Sequence, residues 1–180
     1  EISLSETSQI QCLSICYNIL GNEGVEYIAD ALQQNSTLTS LSLRWAKAGS
    51  TGAGQLAKAL KVNRTLVKLN LDRNGIGDEG CVHISSALSK NCTLRSLRLG
   101  GNNIGDSGAG QIFNALAQPA DSCNLESLYL EDNQIGVKGA RSIAESLETN
   151  KTLKRLHLSR NTVRARGATL IASSLVSNNT

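Results

Sequence analysis

Aromatic residues are scarce in this chain, at 3%, with one Phe, one Trp and three Tyr among 180 residues. A core with so few rings must be assembled from Leu, Ile and Ala, which favours regular stacking over an irregular jigsaw. Met is absent altogether, so the chain is expected to start inside a longer gene product. Proline occurs once, which excludes Pro-rich linkers and collagen-like segments. Charged residues make up 18%, too few for a coiled coil or a disordered polyelectrolyte. No apolar run approaches the ~18 residues of a membrane span, and no secretory leader is visible. A formal net charge of +3 is too small to mark the whole chain as a nucleic-acid binder. Five cysteines, an odd number, argue against a secreted disulfide framework. The expectations are a cytoplasmic location, no membrane attachment and no nucleic-acid partner.

What is abundant is repetition. Segments aligned at Ile10, Leu38, Leu66, Leu94, Leu125 and Leu153 recur at intervals of 28, 28, 28, 31 and 28 residues. A period of this size is the signature of a solenoid. In the third unit, Leu69 and Leu71 alternate as a short strand does, while Gly80, Ile84, Ala87 and Leu88 are spaced as one face of a helix. Gly77 and Gly80 punctuate the passage from strand to helix, Asp78 is the expected helix N-cap, and Asn91 closes the helix in a left-handed conformation. Asn18, Asn74, Asn102, Asn133 and Asn161 hold one place in five units. Buried loops need partners for their backbone groups, so an asparagine ladder is the expected role; a row of polar ligands is the functional alternative.

Parallel strands stack about 4.8 Å apart while helices are about 10 Å wide. Units with a strand on one side and a helix on the other therefore fan out. The spacing predicts an α/β solenoid with parallel strands on the concave side and helices on the convex side. One domain is expected over 1–180, with 1–9 as the remnant of a preceding repeat, in which Leu4 lies 28 residues before Leu32. The array also reads as cut at its far end, since the next strand is due at Thr180.

Leu-x-x-Leu-x-Leu-x-x-Asn-x-Ile-Gly-x-x-Gly followed by a helix resembles the ribonuclease-inhibitor class of leucine-rich repeats over essentially the whole chain. The resemblance implies a right-handed horseshoe arc and an intracellular binding scaffold. The uniform units look most like the sensor domains of NOD-like receptors, implying a ligand-sensing or autoinhibitory role in innate immunity. The alternative is a regulatory repeat protein acting on a partner, similar to the Ran GTPase activator, to ribonuclease inhibitor or to tropomodulin-like actin regulators. The implied partner is a protein, a pathogen-derived ligand or another domain of the same chain, with no cofactor and no metal.

Exposed departures from the repeat carry the functional expectation. Side chains between the repeat leucines point to the concave face. There Arg44, Trp45, Arg73, Arg98, Tyr129, Glu131, Asp132, His157 and Arg160 form the expected partner-binding set. Trp, Tyr and Arg are the types enriched in binding hot spots. Trp45 stands beside Ala46 and Ala48, which replace the ladder Asn and the usual Ile. It either folds over the loop to fill the missing volume or meets a partner. Arg44 beside Asp72, and Asp132 beside Arg160, are expected to pair along their columns at a worth of roughly 0–1 kcal/mol. From Thr149 to Thr180 there are six basic residues and no acidic ones, read either as a solvated end face or as a dock for an acidic partner. In that unit Arg164 takes the place of the usual Gly. The insertion Gln118–Ser122 lengthens one surface loop.

Catalysis finds no support. His83 and His157 lie in distant units, and no nucleophile–base set, metal cluster or phosphate loop is assembled from neighbouring positions. Cys12 and Cys16 are too far apart along one strand to bridge, whereas Cys92 and Cys123 hold equivalent places and are expected to stack as reduced thiols. Asn35, Asn63, Asn91, Asn150 and Asn178 each begin an Asn-x-Thr triplet. The repeat accounts for all five, and they are expected to be unmodified.

Overall fold

The computed structural model describes residues 9–117 and 124–178. Strand and helix alternate along the chain: β1 (Cys12–Ser14), α1 (Gly21–Gln34), β2 (Ser40–Ser42), α2 (Gly49–Val62), β3 (Lys68–Asn70), α3 (Gly77–Leu88), β4 (Ser96–Arg98), α4 (Asp106–Leu116), β5 (Ser127–Tyr129), α5 (Val137–Thr149), β6 (Arg155–His157) and α6 (Arg164–Ser177). The six strands form one open parallel sheet in chain order. Its register pairs Leu13, Leu41, Leu69, Leu97, Leu128 and Leu156 in one row. Each strand bonds, and each helix packs, only with its neighbours, as in any α/β solenoid. The leader Leu4, the insertion Gln118–Ser122, Cys123 and Thr180 lie outside the described residues.

Burial follows the repeat. Leu41, Leu69, Leu97 and Leu128, with Leu43, Leu71, Leu99 and Leu130, are buried between sheet and helices. Each such side chain contributes about 1.5–3 kcal/mol relative to exposure. Phe113 on α4 is also fully buried. The two ends of the described stack stay open, with Ile10, Ile19, Leu175 and Val176 exposed.

Two asparagine ladders hold the loops. Asn74 accepts the N–H groups of Ala46 and Ala48 on Oδ1 and donates through Nδ2 to the carbonyls of Leu43 and Asp72. Asn102, Asn133 and Asn161 repeat the pattern, while Asn18 serves only its own loop. The second ladder runs along the helix ends. Asn63 donates to the carbonyls of Leu32 and Asn35 and accepts from the N–H groups of Thr65 and Leu66. Asn91 makes the equivalent set, and its φ is not positive, contrary to the left-handed closure expected. The side chain, not the backbone conformation, closes the turn. Nδ2 of Asn63 and of Asn91, the atom a glycan would need, is thus committed to buried carbonyls.

Asp78 does not cap its own helix. It lies within α3, and its Oδ1 accepts the N–H of Gly105, the residue that starts α4 in the next repeat, at 2.7 Å. Asp106 does the same for α5, accepting from Gly136 at 2.6 Å and Gly139 at 2.8 Å. Caps therefore cross between repeats, and each carboxylate faces the positive end of the following helix. The backbone responds. Gly105 and Gly136 have φ of −96° and −103°, whereas Gly21, Gly49, Gly77 and Arg164 are left-handed. Where the preceding repeat offers Asn22, Ser50 or Val137 in place of Asp, the turn stays left-handed. Gly80, read as punctuation, instead lies in the first turn of α3, where a Cβ would meet Ile76 Cγ2 at 2.3 Å.

Arg164 is held at φ 56° with no carboxylate to release it. A left-handed non-glycine residue costs roughly 1–2 kcal/mol. Arg164→Gly is therefore expected to raise stability by about 1 kcal/mol, after the extra entropy of glycine in the unfolded chain. Thermal unfolding measures it, and an unchanged or lowered midpoint counts against the strain.

Candidate functional site

Three positions past each strand the backbone turns into the left-handed region. Tyr17, Trp45, Arg73, Asp132 and Arg160 have φ between 56° and 61°, and Gly101 has 67°. This turn throws their side chains to the rim of the strand face, beside the two columns that the register defines. Ser14, Ser42, Asn70, Arg98, Tyr129 and His157 form one of those columns.

Trp45 is 45% exposed, while Ala46 and Ala48 are fully buried beneath the loop. It does not fill the space they leave. Its ring stacks instead on Tyr17, with centroids 6.3 Å apart and planes inclined by 21°. Arg44 lies over the other aromatic partner, its guanidinium 5.4 Å from the Tyr17 centroid. Farther along, Arg98, Tyr129 and His157 stack in register. The guanidinium is 4.4 Å from the Tyr129 centroid and the two rings are 4.5 Å apart.

The charge pairs differ from the columnar expectation. Asp72 does not pair with Arg44. Its Oδ2 accepts from Nε of Arg98 at 2.9 Å, and its Oδ1 accepts the N–H of Gly100 at 2.8 Å. Arg98 also reaches Glu131 at 3.3 Å. Asp132 does not pair with Arg160 but with Arg73, two repeats away, at 2.9 Å. Gly100 and Gly101 are the reason. With no side chain in that repeat, Arg98 can bridge two acids and Arg73 can cross to Asp132. A Cβ on Gly101 would meet Arg73 Cγ at 2.9 Å.

The same two glycines floor a cleft of about 340 Å³, walled by Arg44, Asp72, Arg73, Arg98, Glu131, Asp132, Ser159 and Arg160. Six of the nine expected residues are brought together there, Tyr129 stacks on its Arg98 and His157 on Tyr129, and Trp45 stands apart beside Tyr17. Arg44 Nε and Glu131 Oε2 are shielded from solvent without a hydrogen-bond partner. Unmade bonds of this kind are uncommon in folded proteins.

Sequence reasoning took Cys16 only as too far from Cys12 to bridge. The Cys16 sulfur lies 3.2 Å from Ser14 Oγ and 3.0 Å from Ser42 Oγ. Burial opposes its ionisation, but the Ser14 and Ser42 hydroxyls, the Arg44 backbone and the Arg44 charge outweigh it, so its pKa falls below the ordinary thiol value. Cys81 is the opposite case: burial and the charge of Asp78 push it up to about 12. Cys12, Cys16, Cys81 and Cys92 are free thiols, and the expected contact of Cys92 with Cys123 lies outside the described residues. Among the described residues no cluster of His, Cys, Asp or Glu could hold a metal ion, and no helix is long and apolar enough to cross a membrane.

A family model described as leucine-rich repeat matches residues 62–85, 90–112, 121–144 and 149–172, more than half of the chain. The chain belongs to the leucine-rich repeat family. No curated protein matches it by sequence. Among solved structures it is similar to actin-binding site 2 of leiomodin-1, with a TM-score of 0.60 and 22% identity over 96% of this chain and 83% of that one. It is also similar to the C-terminal domain of tropomodulin from Caenorhabditis elegans, with a TM-score of 0.58 and 13% identity over 96% and 86%. At these identities the likeness is one of fold. This leucine-rich repeat protein carries its own aromatic and charged side chains on the strand face.

Proposed function

We propose that this leucine-rich repeat protein is a protein-recognition scaffold whose contact surface is the concave strand face. One observation carries the reading. Left-handed backbone three positions past the strands favours glycine, yet five of the six positions hold Tyr, Trp, Arg, Asp and Arg. Stability alone would select glycine there. Large side chains kept on strained backbone at an exposed rim point to a use outside the fold. The strands hold them in place before a partner arrives, so little ordering entropy remains to be lost on binding.

A photo-cross-linking amino acid at position 45 is expected to capture a protein partner that the same group at Glu145, exposed on α5, does not. Trp45→Ala should then weaken affinity for that partner roughly tenfold or more, as truncation of a central anchor does. Equal capture from both positions, or unchanged affinity, would remove the strand face from consideration. Arg98 is a poor choice for the same test, because its removal leaves the buried carboxylate of Asp72 without its cation.

The finer reading, a sensor or autoinhibitory domain of a cytoplasmic NOD-like receptor, gains no support from the structural neighbours. They support the regulatory alternative, a cytoplasmic repeat protein acting on a partner in the manner of actin regulators, since leiomodin-1 contributes an actin-binding site with this fold. Co-sedimentation with actin filaments tests it: protein in the pellet, lost with Trp45→Ala, favours the alternative, and protein left in the supernatant removes it.

A further inference from the structure

We infer that the segment this strand face receives is an extended acidic peptide of a partner protein, with an apolar residue at the end nearest repeats one and two. The inference rests on the scaffold reading above and adds the chemistry of the partner.

The charges on the face are unevenly spent. Each acid of the cleft has an arginine, Asp72 and Glu131 sharing Arg98 and Asp132 taking Arg73, though Glu131 keeps its Oε2 without a hydrogen-bond partner. Arg44, Lys68, Arg155 and Arg160 have no ion pair with an acid among the described residues. Among the described residues Arg44 meets the Tyr17 ring and its charge bears on the Cys16 thiol, and Arg155 meets the hydroxyl of Ser127 at 2.8 Å. What the cleft offers a visitor is therefore positive, although acids form part of its wall.

Geometry sets the form of the visitor. Arg44 and Arg160 come into the cleft from repeats two and six, on either side of the glycine floor. At about 4.8 Å per repeat they span about 19 Å at the backbone, the reach of about six extended residues. The buried, unpartnered Nε of Arg44 is a donor at one end of this path. Beyond the other end, the unit from Thr149 to Thr180 carries basic residues and no acidic ones. Its Lys154 is paired with Glu126 at 3.2 Å, but Arg160 and Arg155 remain to attract carboxylates. The exposed Tyr17–Trp45 stack gives the opposite end a ring surface for an apolar side chain. Duplex nucleic acid fits less well. The Tyr129 ring, which lies among the charges, is already covered by Arg98 and His157, and the chain as a whole has a formal charge of only +3.

The test is fluorescence anisotropy with a labelled peptide of one tryptophan followed by glutamates. The same peptide with lysines and a labelled DNA duplex serve as comparisons. The glutamate peptide is expected to bind most tightly and to weaken as salt rises. Arg44→Gln with Arg160→Gln should weaken it roughly tenfold. Lys58→Gln with Arg141→Gln removes equal charge from helices α2 and α5 and should leave it unchanged. Equal weakening by both double variants, tighter binding of lysines or duplex, or no binding of the glutamate peptide overturns the inference. Unlabelled glutamate peptide added before irradiation competes with capture of the partner at position 45 and needs no further variant. A captured partner indifferent to the peptide ends the acidic reading and leaves the scaffold standing; no captured partner at all ends both.

Discussion

Asn102→Ala is expected to destabilise the array by about 3–5 kcal/mol, measured by denaturant unfolding. Asn102 has no exposed surface. Its Oδ1 accepts the N–H groups of Asn74 at 2.8 Å and Ile76 at 3.3 Å, and its Nδ2 donates to Leu71 O at 2.9 Å and Gly100 O at 3.3 Å. Alanine leaves four backbone groups without a partner, and each buried orphan costs about 1–3 kcal/mol. The two longer bonds are weak and part of the loss is recovered by relaxation, so the sum falls short of four full penalties. The chain contains its own control. Ala46 holds the ladder position in repeat two, where the adjoining Asn18 is exposed and solvent can serve the first loop. At Asn102 repeats continue on both sides. Because each repeat touches only its neighbours, the loss should also uncouple the two halves, giving a broadened transition. A loss below about 1 kcal/mol with one sharp transition would contradict the ladder.

The repeats were legible because each position that builds the stack recurs six times, nearly always with the same type of residue. A three-residue strand such as Lys68–Asn70 is too short to recognise alone, but in a 28-residue register it is unmistakable. The same regularity exposed the Asn74–Asn161 ladder and the columns of the strand face. It misled where contacts leave the column. Alignment places Arg44 beside Asp72 and Asp132 beside Arg160, but a guanidinium on a long stem chooses among several carboxylates. An absent side chain decides the choice: Gly100 and Gly101 let Arg98 and Arg73 reach acids a repeat or two away. The two glycines stand in the sequence in line with Asp72 and Arg73, yet what they permit is three-dimensional. Asn91 and Asp78 erred for a related reason. Both were assigned to their own helix end, and both side chains bond to a neighbouring repeat.

Gly108→Ala carries the second large effect, an expected loss of about 2–3 kcal/mol, and it tests the cross-repeat cap directly. A Cβ at Gly108 would lie 2.5 Å from Asp78 Oδ1, 2.9 Å from Ile104 Cγ2 and 3.0 Å from Asp78 Cα. The carboxylate could rotate away, abandoning the N–H of Gly105, but the Cα could not move without shifting α3. Overpacking contributes about 1–3 kcal/mol and the lost cap about 1, against a gain of up to about 1 from replacing glycine inside a helix. The equivalent glycine Gly52 follows a repeat with Asn22 in place of Asp, and the three atoms nearest its Cβ position belong to Ala48 and Val25, none under 3.0 Å. The contact with Asp78 at Gly108 therefore belongs to the turn that the carboxylate selects, while the isoleucine contact recurs at Gly80, where a Cβ would meet Ile76 Cγ2 at 2.3 Å. Asp78→Ser in the Gly108→Ala background should return Gly105 to the left-handed turn seen at Gly77, which follows Ser50. Roughly half of the lost stability should come back, although Asp78→Ser alone is destabilising. A double variant no more stable than Gly108→Ala would mean that the pressure on the glycine comes from Ile104. In that case the carboxylate is a passenger in a turn fixed by packing.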